Sequence, residues 1–353
     1  MKNITHGGDI YTKYNTDSER IIDFSANINP LGMPGSVKEA IISNIDNYTA
    51  YPDPLCRELR EALSNYHDIN KDYILCSNGA AEIIYKIVLA LKPQKAMVLA
   101  PTFSEYESAL KMVGAEINYY VLNEKNNFKI ENDILDYIKP NLDIVFICNP
   151  NNPTGIPLSR EKMIHILDKC KKNNILLVVD ECFTDFLIDE EEYSILDKIE
   201  SYDNLIILKA FTKIFAMAGI RLGYMICSNN IINNKVDNAL QPWSVSTVAI
   251  KAGTAALKEK EYVLETKRYV KENRDYLIDE LKKAGFTVFE SKANYIFFKS
   301  NNDDLDKKLV QYGILIRSCK NYRGLSKNYY RIAVKNRKDN QYLIKCLNSS
   351  YNL

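Results

Sequence analysis

Histidine and tryptophan are scarce in this sequence of 353 residues, which contains three histidines and one tryptophan. So few histidines argue against a histidine-rich metal site. Cysteine occurs eight times, but no two cysteines form a C-x-x-C pair. Several cysteines lie in apolar runs, so we expect reduced, mostly buried thiols rather than zinc ligands or disulfides.

An excess of charge of either sign is also missing, because 46 basic residues face 45 acidic ones and the formal net charge is +1. This balance removes the electrostatic argument for a nucleic-acid-binding protein. No apolar run approaches the roughly 20 residues that a membrane-spanning helix needs. The first residues, Met1-Lys2-Asn3-Ile4-Thr5-His6, lack the apolar region of a secretion signal, so we expect a cytoplasmic protein.

The chain is too long for one ordinary core and predicts two domains. From Tyr73 to Leu208 strand-like and helical segments alternate, which predicts an α/β fold with a largely parallel sheet. Long helices and separate strand-like segments follow Trp243 and predict a smaller α+β domain. Ser36 is expected to cap a first helix that ends near Ile45. We therefore predict an N-terminal arm (residues 1–35) that joins the small domain, a large domain (36–243) and a small C-terminal domain (244–353).

Ligands of parallel sheets bind beyond the carboxyl ends of the strands, and several predicted strands here end in candidate residues. Asn78-Gly79-Ala80 lies between a strand and a helix, where backbone N–H groups can bind a phosphate. Phe103 follows the next strand and could stack on a flat ring. Taken alone, the first feature is more typical of a glycine turn and the second of a core aromatic.

Two polar residues lie at the carboxyl ends of the predicted strands 143–148 and 176–180. Asn152 belongs to the rigid turn Asn-Pro-Asn-Asn-Pro-Thr-Gly, where its amide could hydrogen-bond a phenolate-type oxygen. Asp180 ends an apolar run, and a carboxylate placed there needs a partner such as a protonated pyridine nitrogen. A tight loop and a capped turn remain simpler explanations for each of them separately.

The last strand of the alternating region leads into Thr212 and Lys213, and Arg221 follows eight residues later. A lysine at the end of a buried strand can form Schiff bases. A hydroxyl beside it and an arginine beyond it suit the phosphate of pyridoxal 5′-phosphate (PLP). Most of the 46 Lys and Arg residues must nevertheless lie on the surface, so this stretch alone does not decide the function.

In this order along the chain, the motifs resemble those of the PLP-dependent aminotransferases of fold type I, in the group that contains histidinol-phosphate aminotransferase. The resemblance covers nearly the whole chain. It implies PLP as the cofactor, with Lys213 as its Schiff-base lysine and Asp180 beside the pyridine nitrogen. It also implies that the remaining cofactor contacts come from Asn78, Gly79, Ala80, Phe103, Asn152, Thr212 and Arg221. Tyr51 is similar to a tyrosine that reaches the cofactor phosphate of a neighbouring subunit, which implies a homodimer.

Both ends of the chain resemble the decarboxylase branch of this group, whose members act on L-threonine O-3-phosphate in cobalamin biosynthesis. The matching segments are His6-Gly7-Gly8, residues 23–32, residues 241–245 and residues 316–325. Phe183 also fits this branch, because the aminotransferases usually carry a tyrosine there. The resemblance implies a phosphorylated amino acid as substrate, held by His6, Asn27, Arg317 and Arg331.

Two other functions stay open at this point. The chain could be a histidinol-phosphate or related aminotransferase, although Phe183 and the N-terminal arm argue against it. It could also be a PLP-binding regulator without catalytic activity. Ala210 stands where relatives often have a hydroxyl residue, so one contact near the cofactor is expected to be missing.

Overall fold

The structure is a computed structural model that describes residues 6–12, 14, 18 and 20–351, without the side chains of residues 350 and 351. The strands in chain order are β1 (Ile22–Asp23), β2 (Ile74–Ser77), β3 (Lys95–Ala100), β4 (Glu116–Val121), β5 (Ile144–Cys148), β6 (Leu176–Asp180), β7 (Leu205–Ala210), β8 (Gly223–Ile226), β9 (Thr287–Val288), β10 (Tyr295–Lys299), β11 (Ile314–Leu315), β12 (Arg317–Ser318) and β13 (Tyr329–Ala333).

The α-helices are α1 (Gly35–Ser43), α2 (Arg57–His67), α3 (Ala80–Leu91), α4 (Ser104–Met112), α5 (Ile134–Tyr137), α6 (Arg160–Lys172), α7 (Phe211–Ile214), α8 (Asn230–Ala239), α9 (Thr247–Ala256), α10 (Lys260–Lys283), α11 (Leu305–Val310) and α12 (Arg337–Tyr351). None of these helices is long and apolar enough to cross a bilayer.

The larger sheet has the strand order β2-β8-β7-β6-β5-β3-β4. Strands β3 to β7 run parallel to one another, while β8 is antiparallel to both of its neighbours. Residues of β5 are buried throughout, as expected for central strands covered by helices on both faces. Since β2 runs in the same direction as β7, the carboxyl ends of β2, β3, β5, β6 and β7 share one edge. This α/β arrangement with a mostly parallel sheet confirms the predicted fold class.

The smaller sheet is antiparallel, with the order β12-β13-β10-β9. Its apolar face packs against α10, α11 and α12 in a separate hydrophobic cluster that includes Leu277, Ile296 and Leu343. The N-terminal segment joins this cluster through Phe24, which is fully buried, and through the parallel pairing of β1 with β11.

One local prediction is wrong. Ser36 does not cap the first helix, because α1 already begins at Gly35 and has Pro34 before it. The Ser36 hydroxyl instead hydrogen-bonds the carboxylate of Glu259. A hydroxyl in the first turn can reach a distant partner as readily as its own helix, and the local sequence does not distinguish the two cases.

Candidate active site

A cavity of about 460 Å³ lies at the carboxyl edge of the larger sheet, between this sheet and β12–β13. It brings together most of the predicted site residues. Those that line it are His6, Asn27, Ala80, Phe103, Asn152, Asp180, Thr212, Lys213, Arg221, Arg317 and Arg331, together with Phe183 and Ala210. For the residues at the carboxyl ends of β2, β3, β5, β6 and β7, the convergence follows from the shared direction of these strands.

Lys213 is one of the residues that line this cavity. It lies on the short helix α7, directly after β7. Burial, together with the positive charges of Arg331 and Arg221, lowers the pKa of Lys213 to about 8, although Cys182 and Asp180 act in the opposite direction. The amine is therefore substantially neutral at a mildly alkaline pH, which is the state in which a lysine reacts with an aldehyde.

Asp180 ends β6 with its carboxylate held from two directions. Oδ2 accepts a hydrogen bond from the hydroxyl of Tyr106 at 2.6 Å, and Oδ1 accepts one from the backbone N–H of Cys182 at 3.0 Å. Tyr106 is fully buried and stacks on Phe146. Tyr106 was not predicted from the sequence, although its position on a helix, three residues after Phe103, points it to the same region.

The N-terminus of α3 meets Arg221 and the start of β8 at the opposite side of the cavity. A Cβ on Gly79 would lie 2.6 Å from Nη2 of Arg221, and a Cβ on Gly223 would lie 2.4 Å from the backbone nitrogen of Ala80. Gly223 requires glycine because the clash there is with backbone, while Gly79 is favoured by its φ of +89° and by the guanidinium that would have to move. The close approach places a guanidinium beside unpaired helical N–H groups, which together suit a phosphate.

Asn152 is oriented by an arginine. Its Oδ1 accepts a hydrogen bond from Nη1 of Arg331 at 2.6 Å, so its Nδ2 is left to donate into the cavity. Nη2 of Arg331 donates to the backbone oxygen of Ser25 at 2.7 Å. Arg331 thus connects the turn after β5 to the N-terminal segment by two hydrogen bonds.

Arg317 and Arg331 lie directly opposite each other on the antiparallel strands β12 and β13. Both line the cavity. Arg317 also donates to Oδ1 of Asn321 at 2.7 Å and lies over the ring of Tyr322, at 5.2 Å from its centroid. Like charges at directly opposite positions repel each other, so this pair suits a ligand that brings negative charge.

At the wall of the cavity, His6 contacts a carboxylate that was not predicted from the sequence. Its Nε2 lies 2.7 Å from Oε1 of Glu105, and Oε2 of Glu105 accepts a hydrogen bond from Tyr85 at 2.5 Å. The contact with His6 is the main reason that the pKa of Glu105 falls to about 2. His6 therefore reaches the cavity as predicted, with its ring 5.7 Å from that of Phe103.

Two buried polar atoms of cavity-lining residues have no partner within the described part of the chain. They are Oδ1 of Asn27 and Nε of Arg331. Buried polar atoms are almost always hydrogen-bonded, so these two indicate that the cavity holds a polar molecule. Together with the low pKa of Lys213 and the phosphate-binding geometry at Gly79, they fit PLP and an anionic substrate.

Three predicted residues, Asn78, Gly79 and Tyr51, are not among those that line this cavity. Asn78 is exposed, and its backbone N–H is bound by the side chain of Glu82. Tyr51 is 80% exposed and contacts the ring of Trp243, which is itself 48% exposed. A contact of Tyr51 with the cofactor would therefore have to come from a second copy of the chain.

Residues 19–347 match the family described as aminotransferase class I and II, and the chain belongs to this family. It is 36% identical to threonine-phosphate decarboxylase of Salmonella typhimurium, over 98% of this chain and 96% of the relative. It is 32% identical to an adenosylcobalamin biosynthesis bifunctional protein of Leptospira interrogans, over 98% of this chain and 41% of that longer protein. Histidinol-phosphate aminotransferase of Clostridium acetobutylicum has a similar structure, with a TM-score of 0.87 and 35% identity over 93% of this chain and 98% of the other. The predicted resemblance to threonine-phosphate decarboxylase within the aminotransferase family is thus confirmed.

Proposed function

We propose that this chain catalyses the PLP-dependent decarboxylation of L-threonine O-3-phosphate to (R)-1-amino-2-propanol O-2-phosphate and CO2, for cobalamin biosynthesis. The observation that carries the proposal is the opposed pair Arg317 and Arg331 in the cavity that holds Lys213. Two arginine side chains that line one cavity match a phosphate dianion better than they match an uncharged side chain. The similarity to threonine-phosphate decarboxylase supports the same substrate class.

Each part of PLP has a suitable partner in the cavity. Arg221 and the N-terminus of α3 would hold the phosphate, Asp180 the pyridine nitrogen and Asn152 Nδ2 the ring oxygen. Phe103 lines the same cavity and is available to stack on the ring. When bound, PLP supplies an aldehyde for Schiff-base formation and a ring that accepts electrons from a breaking bond at Cα.

The arginine pair would determine which bond breaks. If Arg317 and Arg331 hold the substrate phosphate, with Asn27 and His6 as further donors, the other groups on Cα are fixed in orientation as well. The bond that stands perpendicular to the cofactor ring is the one that breaks. We propose that this clamp places the Cα–carboxylate bond in that direction rather than the Cα–H bond.

Lys213 is positioned to complete the reaction. When CO2 leaves, the electrons of the Cα–carboxylate bond remain with the substrate, and Cα then needs a proton. The Nζ of Lys213, with a pKa near 8, can hold a proton and deliver it to Cα at physiological pH. Phe183 lines the cavity without a hydroxyl group, so it offers no competing proton donor at its position.

The test is an assay of the purified protein with PLP and two sets of reactants. Threonine phosphate alone should release CO2 without any keto acid. Histidinol phosphate with 2-oxoglutarate should form little or no glutamate. Formation of glutamate from the second pair, with no CO2 from threonine phosphate, would identify an aminotransferase and refute the proposal.

We further propose that the protein acts as a cytoplasmic homodimer with shared active sites, built from the arm (1–35), the large domain (36–243) and the small domain (244–353). The exposed pair Tyr51 and Trp243 supports a second copy at this surface, since large exposed aromatics are typical of protein interfaces. Mixing the variants Tyr51→Ala and Lys213→Ala tests the sharing. Hybrid dimers should regain activity at one site. A mixture that is no more active than the two separate variants would argue against shared sites.

A further inference from the structure

The helix that carries Lys213 is too short to satisfy its own backbone. Helix α7 has four residues, Phe211–Ile214, and the last four carbonyl groups of any α-helix lack partners within the helix. The oxygen of Lys213 accepts bonds from the N–H groups of Phe215 and Ala216, which both lie beyond the end of α7. The position of the reactive amine therefore depends on groups outside α7.

Asn29 of the N-terminal segment supplies two further donors to the end of α7. Its backbone N–H donates to the oxygen of Lys213 at 3.2 Å, and its side-chain Nδ2 lies 2.6 Å from the oxygen of Ile214. Asn29 is 3% exposed. It thus binds the last two carbonyls of α7 from a segment that is 184 residues away in the sequence.

Asn29 is itself fixed by its surroundings. Nδ2 lies 2.8 Å from the hydroxyl oxygens of both Tyr262 and Thr266 on α10, and Oδ1 accepts the N–H of Leu31 at 3.0 Å. The hydroxyl of Tyr262 in turn donates to the backbone oxygen of Gly32. The amide is therefore held between α10, its own turn and the end of α7.

We propose that Asn29 is a positioning residue for Lys213, holding the backbone of α7 so that the lysine amine stays in the cavity. Asn27, two residues earlier, lines the same cavity. The segment that presents Asn27 to the substrate is therefore also the segment that fixes the lysine. The proposal rests on the reactivity of Lys213 that the proposed function assumes.

The surroundings of Lys213 make its position measurable. Arg331 and Arg221 face the amine with positive charge, while Asp180 and Cys182 act in the opposite direction. Burial is the main reason that its pKa is low. A looser α7 would let the ammonium reach water, so the pKa of Lys213 should rise towards the ordinary lysine value.

The experiment compares the cofactor-free parent with Asn29→Ala and Asn29→Asp. The alanine leaves the oxygen of Ile214 without its donor, and the aspartate places an oxygen against it. Each protein is treated across a pH series with an amine-arylating reagent, and labelling of Lys213 is followed by peptide mass spectrometry. Both variants should move the midpoint of labelling from about 8 upwards by about one pH unit. They should also weaken PLP binding about tenfold, the effect of one buried hydrogen bond.

Asn204→Ala is the matched control, because Nδ2 of Asn204 donates to the oxygen of Ile175 at 3.0 Å, before the amino end of β7. It should lower the melting temperature without moving the labelling midpoint or the PLP dissociation constant. If the Asn29 variants do not fold, Tyr262→Phe removes one anchor of the amide and should shift the midpoint in the same direction by a smaller amount.

Folded Asn29 variants that keep the parent's midpoint and PLP affinity would overturn the proposal. The labelling series needs neither cofactor nor substrate, so it remains valid if the parent binds PLP but does not release CO2. In that case the proposed function is refuted, while the labelling midpoints still decide whether Asn29 positions Lys213.

Discussion

The hydroxyl of Tyr106 donates a hydrogen bond to Oδ2 of Asp180 across 2.6 Å, inside the core behind the candidate active site. Burial, reinforced by the negative charge of Asp180, raises the pKa of Tyr106 well above its usual value, so the phenol stays protonated. The carboxylate is therefore oriented by a neutral donor that cannot compete with it for a proton.

Replacement of this phenol should weaken the cofactor site. A hydrogen bond to a charged group contributes about 1.5–3 kcal/mol, so Tyr106→Phe should raise the dissociation constant of PLP by roughly 10- to 100-fold. The measurement is a titration of the cofactor-free protein by absorbance. Tyr120→Phe is the control, since Tyr120 donates to Asp133 at 2.5 Å outside the cavity. Equal effects of both substitutions would mean that the loss is general destabilisation.

The low pKa of Lys213 predicts how cofactor capture depends on pH. Only the neutral amine attacks an aldehyde, and with a pKa of about 8 the neutral fraction rises from about one tenth at pH 7 to about nine tenths at pH 9. The rate of PLP capture by the cofactor-free protein should therefore increase with pH and level off above about 9. Lys213→Ala should show no such rise. A rate in the parent that climbs only near pH 10.5 would indicate an ordinary exposed lysine.

The opposed arginines predict a loss that depends on the substrate phosphate. Arg317→Met should lower kcat/KM for threonine phosphate about 100-fold, which corresponds to about 2.7 kcal/mol at 1.36 kcal/mol per factor of ten. Its effect on unphosphorylated threonine should be small, because that substrate lacks the group that Arg317 binds. Arg323→Met is the control, as Arg323 pairs with Glu107 and does not line the cavity. A uniform loss for both substrates would place Arg317 outside phosphate recognition.

Much of this site could be predicted from the sequence because strand ends in a parallel sheet converge. Asp180 and Lys213 each follow an apolar strand, and the direction of the chain alone brings them to one edge. Their hydrogen-bond partners could not be predicted in this way. Tyr106 and Asn29 reach the site from a helix and from an irregular segment, and the spacing of their neighbours does not indicate which groups they contact.

The same limit applies to the role of His6. The resemblance implied a substrate contact, and the structure adds Glu105, whose carboxylate holds the imidazole at the cavity wall. Ser36 shows the opposite case, where a residue with the right chemistry for a helix cap bonds a distant carboxylate instead. Local sequence patterns specify what a side chain can do, while the tertiary fold decides which partner is within reach.

Behind the site, a buried lysine is surrounded by three carboxylates. Nζ of Lys209 lies 2.9 Å from Asp185, 3.4 Å from Glu190 and 3.8 Å from Glu181, and the lysine side chain is 1% exposed. Glu190 also binds Lys267 of α10 at 2.9 Å, so this cluster connects β7 to the helix that anchors Asn29. Removal of the central cation would leave buried carboxylates without their main partner, which is more costly than the loss of an exposed ion pair.

Lys209→Met should therefore lower the free energy of unfolding by about 3–5 kcal/mol, measured by urea denaturation. Lys209→Arg should recover a large part of this loss, because it restores the positive charge. The recovery should be incomplete, because a guanidinium differs in shape from an ammonium. Lys271→Met is the control, since the ion pair of Lys271 with Asp275 is about half exposed on both sides and its loss should cost less than about 1 kcal/mol. If Lys209→Met were as stable as Lys271→Met, the carboxylates would have to be protonated in the folded protein, and unfolding at several pH values would then show stability decreasing as the pH rises.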